Sequence, residues 1–462
     1  MSNDKPLRAG AAEVDITPAM GIQIAGDIGR RRPVEEIRER IYAKALVLEA
    51  AGQQCCILSL EVCFVTDKWV AEIRRRAADR FGLEPHAILV HPIQNHSAPC
   101  IGNAAVSDEY KGIPPDLWWL RSGDERYNEP AVSGIVEAIG AAQAQLQPVT
   151  VRVGREIDGR VAFNRRFVMR DGTAVAHPRQ RKEILYAEGP IDPEVGVLLL
   201  QGADGHNVAA LLHHTCHPVH GYPQRYIMAD WPGAWASAMR NALGANCVAL
   251  VINGCCGNIH HQNHIDPTHV NNHIRMGSML ADSACSAMRE MKEQASPALA
   301  WRSEKLRIPF RELPAEEVAA ARKLVAERPN APITMEGAYA SVEWDWVYAH
   351  AVVDLATHYQ RQPYYDYEVQ AFRIADSALV ALVGEPFVEG QLQIKLRSPF
   401  DHTFVSHMSN GYVGYVPTVE ALRQGGSVSF ETRTSNWSKL VPSALDMIVE
   451  KAVALLQQLK SV

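Results

Sequence analysis

Histidines crowd one stretch of this chain. From Leu211 to His264 it reads LLHHTCHPVHGYPQRYIMADWPG, then a helical pattern, then VALVINGCCGNIHHQNH. Imidazole is the commonest metal ligand and a ready acid–base group. Any one histidine could instead be a core residue satisfied by backbone groups, since histidine is intermediate in burial. A cluster this dense points to chemistry. Three distant loops, each after an apolar run, carry groups of the same kind: His96 after AILV, His217 after VAALL and Glu385 after ALVALV. Tyr415 lies on a fourth such segment. Two imidazoles, a carboxylate and one further ligand around an open position would make a catalytic zinc site. The ion would lower the pKa of bound water to about 7 and polarise a carbonyl. Spacing alone does not bring the four together, because single His and Glu residues are common at loop ends.

The elements between these loops read as α/β. YAKALVLEAAG and CCILSLEVCFV predict two strands joined at Ala51-Gly52, the second buried on both faces and interrupted by Glu61. Helices are predicted over Thr66–Arg80, Asn128–Gln145 with Pro130 at its start, and about Asn271–Met291. Asp230-Trp231-Pro232-Gly233 opens another, with Pro in its first turn. Asp171-Gly172 signals a hairpin, and residues 19–36 read as a loop over the site. Residues 100–126, with Trp118 and Trp119, suit a substrate-facing lid or a packed loop. The expected architecture is one of mixed β-sheets with flanking helices. Residues 1–300 form the core, 301–367 a helical insertion, and 368–462 the C-terminal part that supplies Glu385 and Tyr415.

The totals bound the partners. The chain has 462 residues, 47% hydrophobic and 21% charged, with net charge −6 and pI near 6.3. Those values fit a globular enzyme with a small-molecule substrate and give no reason to expect nucleic acid. No secretion signal and no run of ~18 apolar residues is visible, so no stable membrane association is expected. The nine cysteines lack CxxC spacing, which fits reduced thiols and a cytoplasmic setting. Oligomeric state is left open, a homo-oligomer included.

Ten short pieces, in order along the chain, resemble the neutral/alkaline, non-lysosomal ceramidase family of zinc amidases. They are AGAAEVDITP, NHSAP, FNRR, DPEVGVLLL, HP at 217–218, ADWPG, NGCCGN, GE at 384–385, NGYVGYVPT and GG…FE at 425–431. The resemblance implies zinc as cofactor, with His217, Glu385 and Tyr415 as ligands. It makes His96 the substrate-contacting histidine near the metal, and Arg165 the arginine that holds the scissile amide or its product carboxylate. Besides His96 and Arg165, the reading gives a catalytic, proton-shuttling role to Asp230 and substrate contacts to Gln94, Asn164 and Asn258.

The departures from that pattern matter equally. Gln94 stands where the family has a zinc-ligand histidine, and an amide oxygen is a poor zinc ligand. Either His96 or His91 replaces it, or metal affinity is reduced or lost. Gly254 and Asn258 occupy the family's serine and aspartate positions, so no serine nucleophile is inherited. Cys255 or Cys256 could substitute only in an electropositive, partly exposed setting. The secreted ceramidases' signal peptide and immunoglobulin-like domain are not visible, which argues for a soluble substrate over bilayer ceramide. The sequence therefore predicts metal-assisted amide hydrolysis. Two alternatives stand beside it. One is metal-free glycoside or ester cleavage by carboxylates such as Asp15, Glu61, Asp230 and Glu385. The other is a non-catalytic ligand-binding relative.

Overall fold

The computed structural model describes residues 6–179, 181–266, 268–426 and 429–461. Its centre is two stacked sheets. The larger has nine strands, and the main path runs Val248–Asn253, Asn207–His214, Glu194–Gly202, Gln147–Ile157, Arg8–Asp15, Tyr42–Ala50, Gln53–Leu60, Ile88–Pro92. The smaller runs Leu299–Pro309, Tyr364–Ile374, Ser377–Leu382, His402–Ser406.

Period-two alternation in the strands builds the layers. In Tyr42–Ala50, Leu46 and Leu48 face the space between the sheets and meet a core that includes Phe372, Leu379 and Phe404. Ala43, Ala45 and Val47 face the other way, into a core shared with the helices Asp67–Phe81 and Glu125–Ala144. The far half of the same sheet packs under Asp230–Leu243 and His273–Arg289, where Trp231 and Trp235 are fully buried. The smaller sheet is covered on its outer face by Trp344–Arg361 and Ala444–Lys460. The order is helices, sheet, sheet, helices. Among the described residues no helix is long and apolar enough to cross a membrane.

Most strand pairs in the two stacked sheets are antiparallel, but among the described residues three pairs there are parallel, and each of these is joined through a helix. They are Gln53–Leu60 with Ile88–Pro92, Asn207–His214 with Val248–Asn253, and Ser377–Leu382 with His402–Ser406. Such units open a crevice beyond the carboxyl ends of their strands. Gln94 and His96, His217, and Glu385 follow three of these ends.

Local differences from the sequence expectation have physical causes. The helix expected from Asn128 starts at Glu125, because the Asp124 side chain caps it by accepting from the backbone N–H of Arg126. Glu61 does not interrupt a strand. Gln53–Leu60 ends just before it, and its buried carboxylate accepts from Lys44 Nζ at 2.7 Å and the Tyr42 backbone at 2.9 Å. The 301–367 stretch contains the helices Ala315–Glu327 and Trp344–Arg361, with a hairpin of Ile333–Glu336 and Tyr339–Val342 between them.

Candidate active site

The three strand ends open into one cleft of about 490 Å³. Gln94, His96, Arg165, His217, Glu385 and Tyr415 all line it. Residues 26–28 of the predicted cover loop, with Trp344 and Tyr348 of the later helix, form part of its wall. Of residues 100–126 only Ala104 and Ser122 reach it. Arg121 ties that segment to itself through the carbonyls of Ser107 and Tyr110.

Each imidazole is oriented by a backbone carbonyl. His217 Nδ1 donates to Cys256 O at 2.9 Å, and His96 Nδ1 to Gly26 O at 3.0 Å. With Nδ1 so engaged, the Nε2 lone pair of each neutral ring is free to act. Gly26 has φ +81°, and a β-carbon there would collide with the His96 ring, so the close approach requires glycine. The rings lie 5.1 Å apart between centroids. His217 Nε2 stands 3.8 Å from Glu385 Oε2.

Glu385 pairs with Tyr415 in a two-residue parallel ladder of Glu385–Pro386 and Tyr415–Val416. The Tyr412 hydroxyl donates to Oε1 at 3.0 Å, whereas Oε2 is buried without a hydrogen bond. His96 Nε2 is likewise buried and unbonded. Burial raises the Glu385 pKa, while Arg165, Gln94, Tyr415 and Tyr412 beside it oppose the rise. Arg165 sits between the short strands Phe163–Asn164 and Arg166–Met169, 3% exposed. It reaches Gly257 O at 2.6 Å and the Tyr415 hydroxyl at 3.3 Å, and pairs with Glu431 at 3.1 Å. Its cation therefore faces the carboxylate and phenol of the site.

Other expected residues lie elsewhere. Asn164 donates to Pro190 O and accepts from the Arg166 backbone; Asn258 donates to Glu389 and accepts from the Val388 backbone. Neither lines the cleft, because their amides are spent on holding loops. Asp230 does not line it either, and its carboxylate is taken up by His220 and Trp231. His91 cannot replace the missing ligand. Its Nδ1 bonds His407 O at 2.8 Å and its Nε2 accepts from the Asn253 backbone at 3.0 Å. Cys255 and Cys256 are fully buried, and burial pushes both thiols up, which removes them as nucleophiles. Of the carboxylates proposed for metal-free chemistry, Asp15 pairs with Arg40 and Glu61 with Lys44, outside this cleft. The cleft holds one that the sequence reading missed. Asp27 is 1% exposed at its side chain, with Oδ1 unbonded. A lone Asp in a Gly- and Arg-rich loop carries no periodic signal that could have found it.

The donor set suits a borderline ion such as zinc in kind: two imidazole Nε2 atoms backed by carbonyls, one carboxylate and a phenol. Among the described residues, however, no three His, Cys, Asp or Glu side chains are gathered as around a bound ion. An ion would have to draw His96, His217 and Glu385 together.

This arrangement of sheets, helices and strand-end cleft is the fold of the neutral ceramidases. The chain is similar to neutral ceramidase from Pseudomonas aeruginosa, with TM-score 0.72 and 17% identity over 99% of this chain and 75% of that one. It is equally similar to a ceramidase complexed with C2, with TM-score 0.72 and 17% identity over 99% of this chain and 76% of that one. No protein-family model matches the sequence, and no curated protein matches it.

Proposed function

We propose that the chain is a hydrolase that cleaves an amide bond in a small soluble substrate. One observation carries the reading. His96 Nε2 and Glu385 Oε2, from loops 289 residues apart in sequence, face one cleft as buried atoms without an aligned hydrogen bond, although Gln94 and Tyr415 stand beside the carboxylate, and His217 Nε2 lies 3.8 Å from Oε2. Unpaired buried groups cost roughly 1–3 kcal/mol each, and here a reacting ligand would supply their partners. Arg165 supplies a fixed cation for the oxyanion that forms when water adds to the carbonyl. His96 orients that water through its free Nε2.

A divalent ion, zinc by donor type, would be held by His217, Glu385 and Tyr415, with His96 or a water as fourth donor. When bound, such an ion polarises the carbonyl and acidifies coordinated water. The likeness to ceramidases supports the amide as the bond cleaved, by analogy of fold alone. A panel of short N-acyl amines and N-acyl amino acids, read by amine release, tests the reading. Turnover by wild type that is lost in Glu385→Gln supports it; no turnover of any amide with or without added zinc overturns it.

A second reading rests on Asp27. Two buried carboxylates, Asp27 and Glu385, face the same cleft, and burial raises both pKa values. Paired carboxylates are the equipment of glycoside hydrolysis. That reading predicts turnover of aryl glycosides that is insensitive to chelator and lost in Asp27→Asn.

A further inference from the structure

Asp230 is a residue under strain whose charge is already committed. It is fully buried at the first position of the helix Asp230–Leu243, with φ +55°. A left-handed conformation is strained for an aspartate and persists only where its surroundings enforce it. Three donors do so here: the backbone N–H of His220 at 2.8 Å, the His220 ring Nδ1 at 2.7 Å, and the backbone N–H of Trp231 at 2.7 Å. Asp230 therefore cannot itself reach a substrate.

His220 can. It lines the cleft, and because its Nδ1–H is held by a carboxylate, the neutral ring presents the Nε2 lone pair. His96 has the same tautomer, but only a neutral carbonyl stands behind it. A carboxylate behind an imidazole stabilises the imidazolium that forms when the ring takes a proton; a carbonyl does so far less. The ring is also held flat. It stacks on His261 at 3.6 Å between centroids and 16° between planes. His261 lies 4.2 Å from His260, whose backbone bridges to His217. Both His261 nitrogens are buried without an aligned hydrogen bond, although the Val219 backbone lies beside them. His273 lies 6.1 Å away between ring centroids and is bonded to Glu39, and His96, Asp27 and Tyr222 face the same cleft.

We propose that Asp230 and His220 form a carboxylate–imidazole dyad distinct from the His96, His217 and Glu385 set, and that His220 is the proton carrier of the cleft. For the amide hydrolysis on which this rests, Nε2 takes a proton from water as the water oxygen bonds to the carbonyl carbon and the carbonyl electron pair moves to oxygen. The tetrahedral species collapses by re-forming the carbonyl and breaking the C–N bond, and the imidazolium returns its proton to the departing nitrogen. Asp230 stays ionised throughout and acts as a positioning residue.

The test needs no substrate. Diethyl pyrocarbonate acylates an imidazole nitrogen that carries a free lone pair, and peptide mass spectrometry gives a rate for each histidine. In the wild-type chain His220 reacts at Nε2. In Asp230→Asn its rate falls relative to that of exposed His206, because an amide no longer fixes the Nδ1–H tautomer. Lack of reaction at His220 where His206 reacts, or an unchanged relative rate in Asp230→Asn, overturns the proposal. If Asp230→Asn does not fold, lack of reaction at wild-type His220 overturns it alone. Failure of every amide to turn over would sink the hydrolase reading and leave this result intact. With an active amide, His220→Gln lowers kcat about 10²–10⁴-fold with a smaller change in KM, and an unchanged kcat refutes the role.

Discussion

His217 Nε2 and Glu385 Oε2 face each other at 3.8 Å across a buried cleft, and neither side chain is more than 4% exposed. The distance is too long for a hydrogen bond, and Oε2 has no aligned hydrogen bond from its other neighbours, Gln94 and Tyr415. The cleft thus stores an unfavourable arrangement that a ligand can relieve.

Glu385→Gln is accordingly expected to raise stability while abolishing turnover. In chelator-treated protein the gain should be about 1–3 kcal/mol. A carboxylate whose folded pKa is raised binds its proton more tightly when folded, so it destabilises as pH rises past its unfolded value near 4.5. The gain in Tm should therefore be larger at pH 8 than at pH 5. A variant less stable than wild type at pH 8 would contradict this.

Acid should unfold the chain early. His91 and His213 are fully buried, and burial lowers them to about 4 and about 3. A lowered imidazole pKa means that the unfolded chain binds the proton first. Stability is then complete above about 6.5 and is lost as pH falls toward the folded values, at roughly 1.4 kcal/mol per group per pH unit. Thermal unfolding should shift down steadily between pH 6.5 and 5; a flat Tm over that range would count against buried neutral rings.

Arg165→Ala should lose about 10²–10³ in turnover. It should also lose about 1–3 kcal/mol of stability, because buried Glu431 then keeps one cation, Arg166 at 3.0 Å, beside the Ser429 hydroxyl. Adding Glu431→Gln should restore part of the stability and none of the rate. Recovery of rate in the double variant would show that Arg165 acts only as a structural ion.

Restoring the ceramidase serine at Gly254 should fail. A β-carbon there would overlap Thr215 Oγ1 and crowd the Gln391 amide, which accepts from the Cys255 backbone at 2.7 Å. Gly254→Ser is expected to cost about 1–3 kcal/mol and to add no activity. A stable variant with a reactive serine would overturn this packing argument.

The sequence made the strand ends legible because apolar runs punctuated by His-Pro, Gly-Glu and Asn-Gly turns announce where a buried strand stops. His96, His217 and Glu385 were found in that way, and the cover loop at 19–36 followed from its glycines. Asp27, Tyr412 and His220 were not singled out, since their significance lies in who stands beside them in space. Asn164, Asn258 and Asp230 are expected in the site from the sequence. Folded, their polar atoms serve backbone groups and a histidine, which only three-dimensional hydrogen bonding reveals. His91 illustrates the same limit: it lies three residues from Gln94, yet both its nitrogens are consumed in the core.

Metal content tests the central claim most directly. Elemental analysis of the purified, untagged chain, beside His217→Ala and Gln94→His, should find about one zinc per wild-type chain. The metal should be lost in His217→Ala and retained more tightly against chelator in Gln94→His, where a third imidazole replaces an amide. A wild-type chain without zinc, and with no rise in Tm when zinc is added, would contradict the metal-assisted account and leave the Asp27–Glu385 reading to be pursued.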